Sequence, residues 1–500
     1  MMMNSDRNTR KINRVRKKIN KGRSINRDIM KVFGFFVVIF AALIIFFTYF
    51  LSFESSSVIN SSYNRRSDAL TKTVKRGSIL ASDGTKLAYS EVAEDGTETR
   101  IYPYSNVFAH VVGFSTNGRL GLESSYNYYL LTSHLGIFDK ISNEFHNRKN
   151  SSDDILTTLD VGLQNYVYDA LGDNYGAAIC MNPDTGEIYA LVSKPDFDPN
   201  VINEIWDSIV SSGTDEEGAE TTSDSTVLLN RATQGLYTPG STFKIFTLYE
   251  YCLENPTAAQ DFAYNCSGEI AVGDTSLSCY SGAHGQENLR TAFANSCNCA
   301  FGTIGAGLDL NKFSETTSKL LFDTALPVDL SSYESRFSLS ESDTDFDIMA
   351  TAIGQGNTLV SPLHLVMVIS AIANDGVCMT PHTVSAVLNP SGETIKQFRN
   401  EEYATLFTED EAASLKEYLR AVVTDGTAQV LYPGNFVAYG KTGTAQKERS
   451  DDEEYDHSWF VGWAENNEQK LAVCVILEDA DAAGTTSANI TKQIFDYYFN

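Results

Sequence analysis

The chain has 500 residues, 38 of them basic and 64 acidic, and the charge is unevenly spread. Residues 1–31 hold eleven Lys or Arg and two Asp, a net of +9, while the remainder carries 27 basic and 62 acidic side chains, a net of −35. A body that acidic repels phosphate and excludes nucleic acid as a partner. Its length points to two or three folded units.

The basic tail, residues 1–31, leads into VFGFFVVIFAALIIFFTYFLSF, residues 32–53, twenty-two residues without a charge. At about 1.5 Å per residue this segment spans a bilayer core of about 30 Å. The cationic flank predicts a cytoplasmic N-terminus with the rest of the chain outside. A cleaved signal peptide fits less well. The apolar run exceeds the about 7–15 residues of such a core, and SFESSSVINSS lacks a small-residue cleavage site.

Residues 54–150 read as short strands and turns, with Asp83-Gly84 as a hairpin turn. No catalytic cluster is visible there, so this mainly-β stretch is expected to be a pedestal or interaction module. A polar break at Ser151–Asp154 precedes residues 151–500, where Asp160 is placed to cap a helix. GAAICMNPDTGEIYALVS is two apolar runs around a turn, a hairpin signal. NFVAYGKTGTAQ, SWFVGWAE and KLAVCVILED are further strand candidates, while STFKIFTLYEYCL and PLHLVMVISAIAN have helical patterns. Strands at both ends of a helical middle predict an antiparallel sheet flanked by helices, an α+β fold. Two polar inserts, Ser211–Ser225 and Lys447–Asp456, are expected to be solvated, mobile loops.

Three short motifs occur in order: Ser241-Thr-Phe-Lys244, Ser296-Cys297-Asn298 and Lys441-Thr-Gly-Thr444. An isolated S-x-x-K is weak; the ordered trio is a strong signal. Together they make a coherent acyl-transfer site. Pro239 and Gly240 supply a turn, and Ser241 opens a helix at the positive end of its dipole. Lys244 lies one turn on and can reach the serine oxygen. It acts as a base only if its ammonium is destabilised; burial does that, and a second cation, for which Lys441 is the natural candidate, adds to it. Ser296 can relay a proton, and Asn298 can hold a substrate amide. The KTGT strand forms one wall, with Gly443 expected to clear space for a substrate backbone lying alongside as an added strand. Thr442 and Thr444 offer hydroxyls to a carboxylate, and the N–H groups of Ser241 and Thr444 are candidates for an oxyanion hole. No cofactor and no metal are called for.

Further blocks extend the pattern over nearly everything after the apolar segment. They are RGSILASDGTKLA (76–88), GLESSYN (121–127), MNPDTGEIYALVSKPDFDPN (181–200), LLNRATQGLYTPGSTFK (228–244), SGAHGQENL (281–289), AIGQGNTLVSPL (352–363) and HSWFVGWAE (457–465). The chain resembles a class B penicillin-binding protein, a membrane-anchored D,D-transpeptidase that cross-links peptidoglycan. The resemblance implies a penicillin-binding/β-lactamase-like serine acyltransferase domain on a dimerisation-like pedestal in the bacterial cell membrane. Ser241 would attack the penultimate D-Ala carbonyl of a stem peptide, release the terminal D-Ala, and pass the acyl group to an amine on a neighbouring strand. β-Lactams would trap it. The glycosyltransferase domain of class A relatives has no counterpart here, which implies a partner enzyme of the SEDS type, and no PASTA-like extension follows the last strand. Ala81-Ser82-Asp83-Gly84 departs from the Asp-Arg-Asn-Gly of many relatives, which weakens inference about pedestal contacts.

Single features bear on other readings. No Glu-x-x-Leu-Asn string lies between Asn298 and Lys441, which disfavours a β-lactamase; a carboxypeptidase or a non-catalytic scaffold on the same fold remains the alternative. His284 reads as a turn or core residue, and His457 as structural or cleft-lining. Gly354-Gln355-Gly356 reads as the end of a helix rather than a phosphate loop. Cys297 and Cys299 read as buried packing. Cys266 and Cys279 stand in turn-rich sequence where a disulfide is permitted but not established, and zinc is disfavoured for want of a CxxC or a nearby His pair.

Overall fold

The computed structural model describes residues 3–50, 71, 73–146, 148–210, 213–214, 220–221, 225–340, 342–448, 454–480 and 485–500. Residues 1–64 and 65–500 are separate compact units. In the first, helix α1 (Met3–Tyr49) contains Ile29–Tyr49, 21 residues of mean hydropathy 2.8, long and apolar enough to cross a membrane. Residues 51–53 of the expected span, and 54–70 of the expected pedestal, lie outside the described residues.

The second unit is built on two sheets. In chain order, β1 (Ile79–Leu80), β2 (Lys86–Val92), β3 (Glu98–Ile101) and β4 (Asp154–Thr157) precede helix α2 (Val161–Leu171). The β1–β2 turn falls at Asp83-Gly84 as expected, with Gly84 at φ 85° and Gly84 N–H donating to Ala81 O at 2.9 Å. Asp160 caps α2 by accepting from the Leu163 N–H at 2.7 Å. The predicted hairpin is β5 (Gly176–Met181) and β6 (Ile188–Lys194). Helix α3 (Lys244–Glu254) follows. Next come the short strands β7 (Ala263–Cys266), β8 (Glu269–Val272), β9 (Thr275–Ser278) and β10 (Gly285–Asn288). Helices α4 (Asn298–Ala306), α5 (Asp345–Ala352) and α6 (Pro362–Ala373) belong to the helical middle. Pro362 at the first turn and the Ser361 hydroxyl on the His364 N–H start α6.

Strands β11 (Val384–Leu388) and β12 (Thr394–Gln397) and helix α7 (Glu409–Thr424) lead to β13 (Val437–Glu448), β14 (Glu454–Glu465) and β15 (Lys470–Leu477). Helix α8 (Thr485–Tyr498) closes the chain. The main sheet has the order β13-β14-β15-β5-β6 and every pair is antiparallel. All of β5 and all but the first residue of β15 are buried, because helices cover the sheet: α6 packs on β14, β15 and β5, while α2 and α8 pack on each other and on the same strands or their neighbours. Every residue of α6 is buried, as its all-round apolar sequence requires.

The second sheet runs β12-β11-β4-β1-β2-β3. It therefore joins strands from residues 79–101 to strands from 154–157 and 384–397, and residue 150 does not separate two sheets. The two polar inserts fall largely outside the described residues. Gly213–Thr214 and Glu220–Thr221 form a short antiparallel pair, and residues 447–448 and 454–456 continue β13 and β14.

Candidate active site

The Ser241 turn is fixed by backbone contacts that leave no room for side chains. Gly240 has φ 54°, its N–H donates to Gly354 O at 2.9 Å, and a Cβ on it would stand 2.2 Å from Thr444 O on β13. Gly354, at φ 84°, follows the end of α5, and a Cβ there would stand 1.9 Å from Gly240 O. The Gly-Gln-Gly segment is thus the helix end the sequence implied, and its first glycine also lets the nucleophile's turn press against it. A 3-10 turn over Gly240–Phe243 runs straight into α3, so Ser241 sits just ahead of the α-helix proper. The Thr242 hydroxyl donates to Pro239 O at 2.7 Å, and Trp459 Nε1 on β14 donates to Thr238 O at 3.1 Å.

This turn also packs against Gly443. A Cβ at 443 would lie 2.9 Å from Thr242 Cγ2, 3.0 Å from Trp459 Cβ and 3.1 Å from Pro239 O. The glycine lets the turn pack closely against β13, and it also lines the cavity.

One hydrogen-bonded chain joins the three motifs. Lys244 Nζ lies 3.0 Å from Ser241 Oγ, 2.7 Å from Ser296 O, 3.2 Å from Ser296 Oγ and 2.6 Å from Asn298 Oδ1. Lys441 Nζ continues it, 2.9 Å from Ser296 Oγ and 3.1 Å from Thr442 O. Asn298 Nδ2 donates to Ser278 O at 2.8 Å, and the hydroxyls of Thr442 and Thr427 are 2.5 Å apart. Ser296 holds φ 58°, a left-handed conformation that a serine adopts only when its surroundings impose it. Ser241, Ser296, Asn298, Thr442, Gly443 and Thr444 all line one cavity of about 420 Å3. Lys244 and Lys441 lie behind that wall, both fully buried.

The contacts of Lys244 suit either protonation state, and its burial decides between them. An ammonium has three N–H donors and no acceptor. A neutral Lys244 amine spends two N–H groups on Ser296 O and Asn298 Oδ1, which can only accept, and keeps its lone pair for the Ser241 O–H. Burial favours this form, carrying Lys244 down from 10.5 to about 7, against the opposing pull of the Cys297, Cys279 and Cys299 thiols. Burial also holds Lys441 well below its ordinary value, with the repulsion of Lys244 adding to it. The leading cause on Lys244 is burial, as the sequence reading expected; the charge of Lys441 is not among the causes that act on it.

Other side chains were missed or misjudged. Thr427, Asn295 and Tyr280 also line the cavity, from positions without a chemical signature in the sequence, as do Ser281 and Gln355 from blocks noted above. His457 lies within β14, buried and edge-on to Tyr237 at 5.6 Å, and is not among the lining residues. His284 does line the cavity. Cys266 and Cys279 are free thiols with Sγ atoms 3.7 Å apart. Cys297 is fully buried, and Cys266, Cys279, His284 and Cys297 each offer a ligand atom within 4.8 Å of all the others. Their spacing, Cys-x12-Cys-x4-His-x12-Cys, contains no short pair that a sequence reading would notice.

Comparisons with known proteins agree with this geometry. The family described as penicillin binding protein transpeptidase domain matches residues 176–496, and penicillin binding protein A dimerisation domain matches residues 76–155. The chain is similar to peptidoglycan D,D-transpeptidase PbpA of Mycolicibacterium smegmatis, 28% identical over 432 residues, with 81% of this chain and 84% of that one covered. The D,D-transpeptidase domain of a peptidoglycan glycosyltransferase from Eggerthella lenta superposes with a TM-score of 0.73 at 28% identity, over 85% of this chain and 98% of that one. Penicillin-binding protein A from M. tuberculosis, solved as its penicillin G acyl-enzyme complex, superposes with a TM-score of 0.73 at 26% identity, over 85% and 100%. With the transpeptidase family matched over 176–496 of 500 residues and its three motifs meeting at one cavity, the chain belongs to the penicillin-binding protein transpeptidase family.

Proposed function

We propose that this chain is a serine D,D-transpeptidase that cross-links peptidoglycan stem peptides and is acylated by β-lactams. The observation that carries the proposal is the chain of contacts from Ser241 Oγ through Lys244 Nζ and Ser296 Oγ to Lys441 Nζ, opening on one cavity. Ser241 Oγ attacks the penultimate D-Ala carbonyl while its proton passes to the Lys244 amine. The N–H groups of Ser241 and Thr444 receive the developing oxyanion. Ser296 carries the proton on to the departing D-Ala nitrogen, and Lys441 supplies positive potential to the relay and to the substrate carboxylate, which Thr442 and Thr444 also bind. An acceptor amine then loses a proton to the same relay and takes the acyl group, freeing Ser241. β13 lies at the edge of its sheet, which supports docking of an extended stem peptide along it.

The basic tail and the apolar stretch of α1 support a single-pass anchor with a cytoplasmic N-terminus. In that reading residues 54–150 are the pedestal, 151–500 the transpeptidase domain, and strand polymerisation falls to a SEDS-type membrane glycosyltransferase.

The test is labelling of the full-length protein in detergent with a fluorescent penicillin. Ser241→Ala should take up no label, and Lys244→Arg should lose acylation because a guanidinium is no base near neutral pH. Equal labelling of Ser241→Ala refutes the assignment. Loss of the wild-type label within minutes favours a hydrolase instead.

A further inference from the structure

We propose that the short helix Ile137–Phe145 docks its apolar face on the surface of the lipid bilayer. The helix is built the wrong way round for a surface facing water. A surface helix ordinarily buries its apolar stripe and shows solvent its polar face. Here Ile137, Phe138, Ile141 and Phe145 fall within an arc of about 100° and are all exposed, Phe138 at 83% and Phe145 at 86%. The far side of the helix carries Lys140 and Asn143, which are half-buried and tie it to the protein. Lys140 Nζ donates to Ser133 O at 2.8 Å, and Asn143 Nδ2 donates to Asn150 Oδ1 at 3.1 Å. No residue of the helix is buried, and Phe138 and Phe145 are the two exposed phenylalanines among the described residues of this unit.

The place of the helix in the chain names the occupant. Strand Val74–Lys75, where the chain coming from α1 enters the unit, pairs in parallel with Asn150–Ser151, just beyond the helix. The Asn150 N–H donates to Thr73 O at 3.1 Å, and Lys149 Nζ donates to Thr71 O at 2.9 Å. The end of the helix is thus bonded to the segment that leads back to Tyr49, the last residue of the apolar stretch of α1. The inference rests on the reading of that stretch as a membrane anchor. An anchored chain holds the helix at high effective concentration beside the bilayer, so a small apolar face is enough to keep it there. The same face is too small for a stable protein contact. Its nine residues make a helix about 13 Å long, and four side chains cannot supply the about 800 Å2 per partner of a standard interface.

Charge agrees with this occupant. Over residues 32–500 acidic side chains outnumber basic ones by 62 to 27, yet residues 137–149 hold Lys140, Arg148 and Lys149 against Asp139 and Glu144. Lys149 is paired with Glu98 at 2.8 Å, so the segment is close to neutral and lacks the acidic excess that would repel anionic headgroups. A second point of attachment would fix the tilt of the unit above the bilayer, because the chain after the helix runs directly into β4 of the second sheet.

The test uses the full-length Phe138→Trp variant in vesicles of phosphatidylcholine and phosphatidylglycerol, with and without bromine on the acyl chains. Trp459 and Trp463 are fully buried and Trp206 is half-buried, so emission gained over the wild type reports on position 138. That emission should shift to the blue and fall by at least about twofold with brominated lipid, as for a side chain among acyl chains. Tyr280→Trp, at an exposed position on the wall of the active-site cavity, should lose none of its gained emission to the same lipid. Adding Ile141→Asp and Phe145→Asp to Phe138→Trp should abolish the quenching and leave the melting temperature in place, since neither side chain is buried. Three results overturn the docking. They are emission from position 138 quenched by acrylamide and not by brominated lipid, emission shielded from both at high protein density (a second copy on the face), and quenching that survives both aspartates. Flotation after an alkaline wash separates the two readings. Protein that floats with its vesicles but is unquenched at position 138 refutes the docking and leaves the anchor, whereas protein that washes off refutes the anchor and the docking with it.

Discussion

Replacing Lys244 by methionine should give a protein that is inactive yet more stable. Burial lowers Lys244 from 10.5 to about 7 in the folded protein, whereas the unfolded chain keeps its proton to about pH 10.4. Between those values the unfolded state binds more protons, so this lysine subtracts from stability, fully below about pH 7 and progressively less as pH rises. At about 1.4 kcal/mol per pH unit the cost near pH 7 is about 4 kcal/mol. Methionine fills a similar volume without a charge, but leaves Ser296 O and Asn298 Oδ1 without their donor, at a cost of about 1–3 kcal/mol. The net gain is about 2 kcal/mol, which for a unit of this size raises the melting temperature by about 2–4 °C. The assay is thermal unfolding of both full-length proteins at about pH 7 and about pH 9, where the wild type should recover about 2–3 kcal/mol and close the gap. A methionine variant that melts lower at neutral pH, or a gap that ignores pH, refutes the account of Lys244 as a lysine kept neutral by burial.

Acylation by penicillin should rise about tenfold per pH unit below about pH 7 and level off above it, since only the neutral amine of Lys244 accepts the Ser241 proton; a flat profile from about pH 5 to 8 contradicts this. Gly240→Ala should fold with reduced stability and slow acylation by at least about tenfold, because its φ is 54° and its Cβ would meet Thr444 O at 2.2 Å; labelling at the wild-type rate contradicts it. Glu123→Ala should cost about 3–5 kcal/mol in denaturant melts, because Glu123 is fully buried between Arg76 Nε at 2.6 Å and Arg100 Nε at 2.7 Å. Those guanidiniums hold Glu123 below its ordinary carboxyl value despite burial, so its contribution is present above the unfolded carboxyl range and fades as pH falls through the folded value; melts that show no such acid-side loss relative to Glu123→Ala count against it.

Much of this architecture was legible in local pattern. Asp160 caps its helix, Asp83-Gly84 turns a hairpin, and the apolar runs at 176–194 and 437–477 became the five-stranded sheet. The i,i+3 spacing of Ser241 and Lys244 needs only a helical turn to bring them together, so it could be read directly. The rest depends on long-range packing. The packing of the Thr242 methyl behind Gly443 has no signature in local sequence. Thr427 pairs with Thr442 from a loop whose composition says nothing about a site. The convergence of Cys266, Cys279, His284 and Cys297 was not legible because they come from four loop or strand ends, none within four residues of another. The second sheet was missed because β12 is exposed throughout and lacks the apolar alternation that marks a half-buried strand.

That second sheet has a mechanical consequence. Its hydrogen bonds pass from β3 through β2 and β1 to β4 and on to β11 and β12, so the N-terminal strands and the strands just before α7 are rungs of one ladder. Tyr126 O–H to Asp329 at 3.1 Å and Lys396 Nζ to Tyr129 O–H at 2.9 Å are cross-braces over the same junction. Cutting the chain near residue 150 to make a minimal enzyme would strip β4 of its β1 partner and expose a raw sheet edge, a template for aggregation. A pull on the N-terminal strands is carried along stiff strand pairs rather than absorbed in a hinge, so load on one end of this unit is felt at the other.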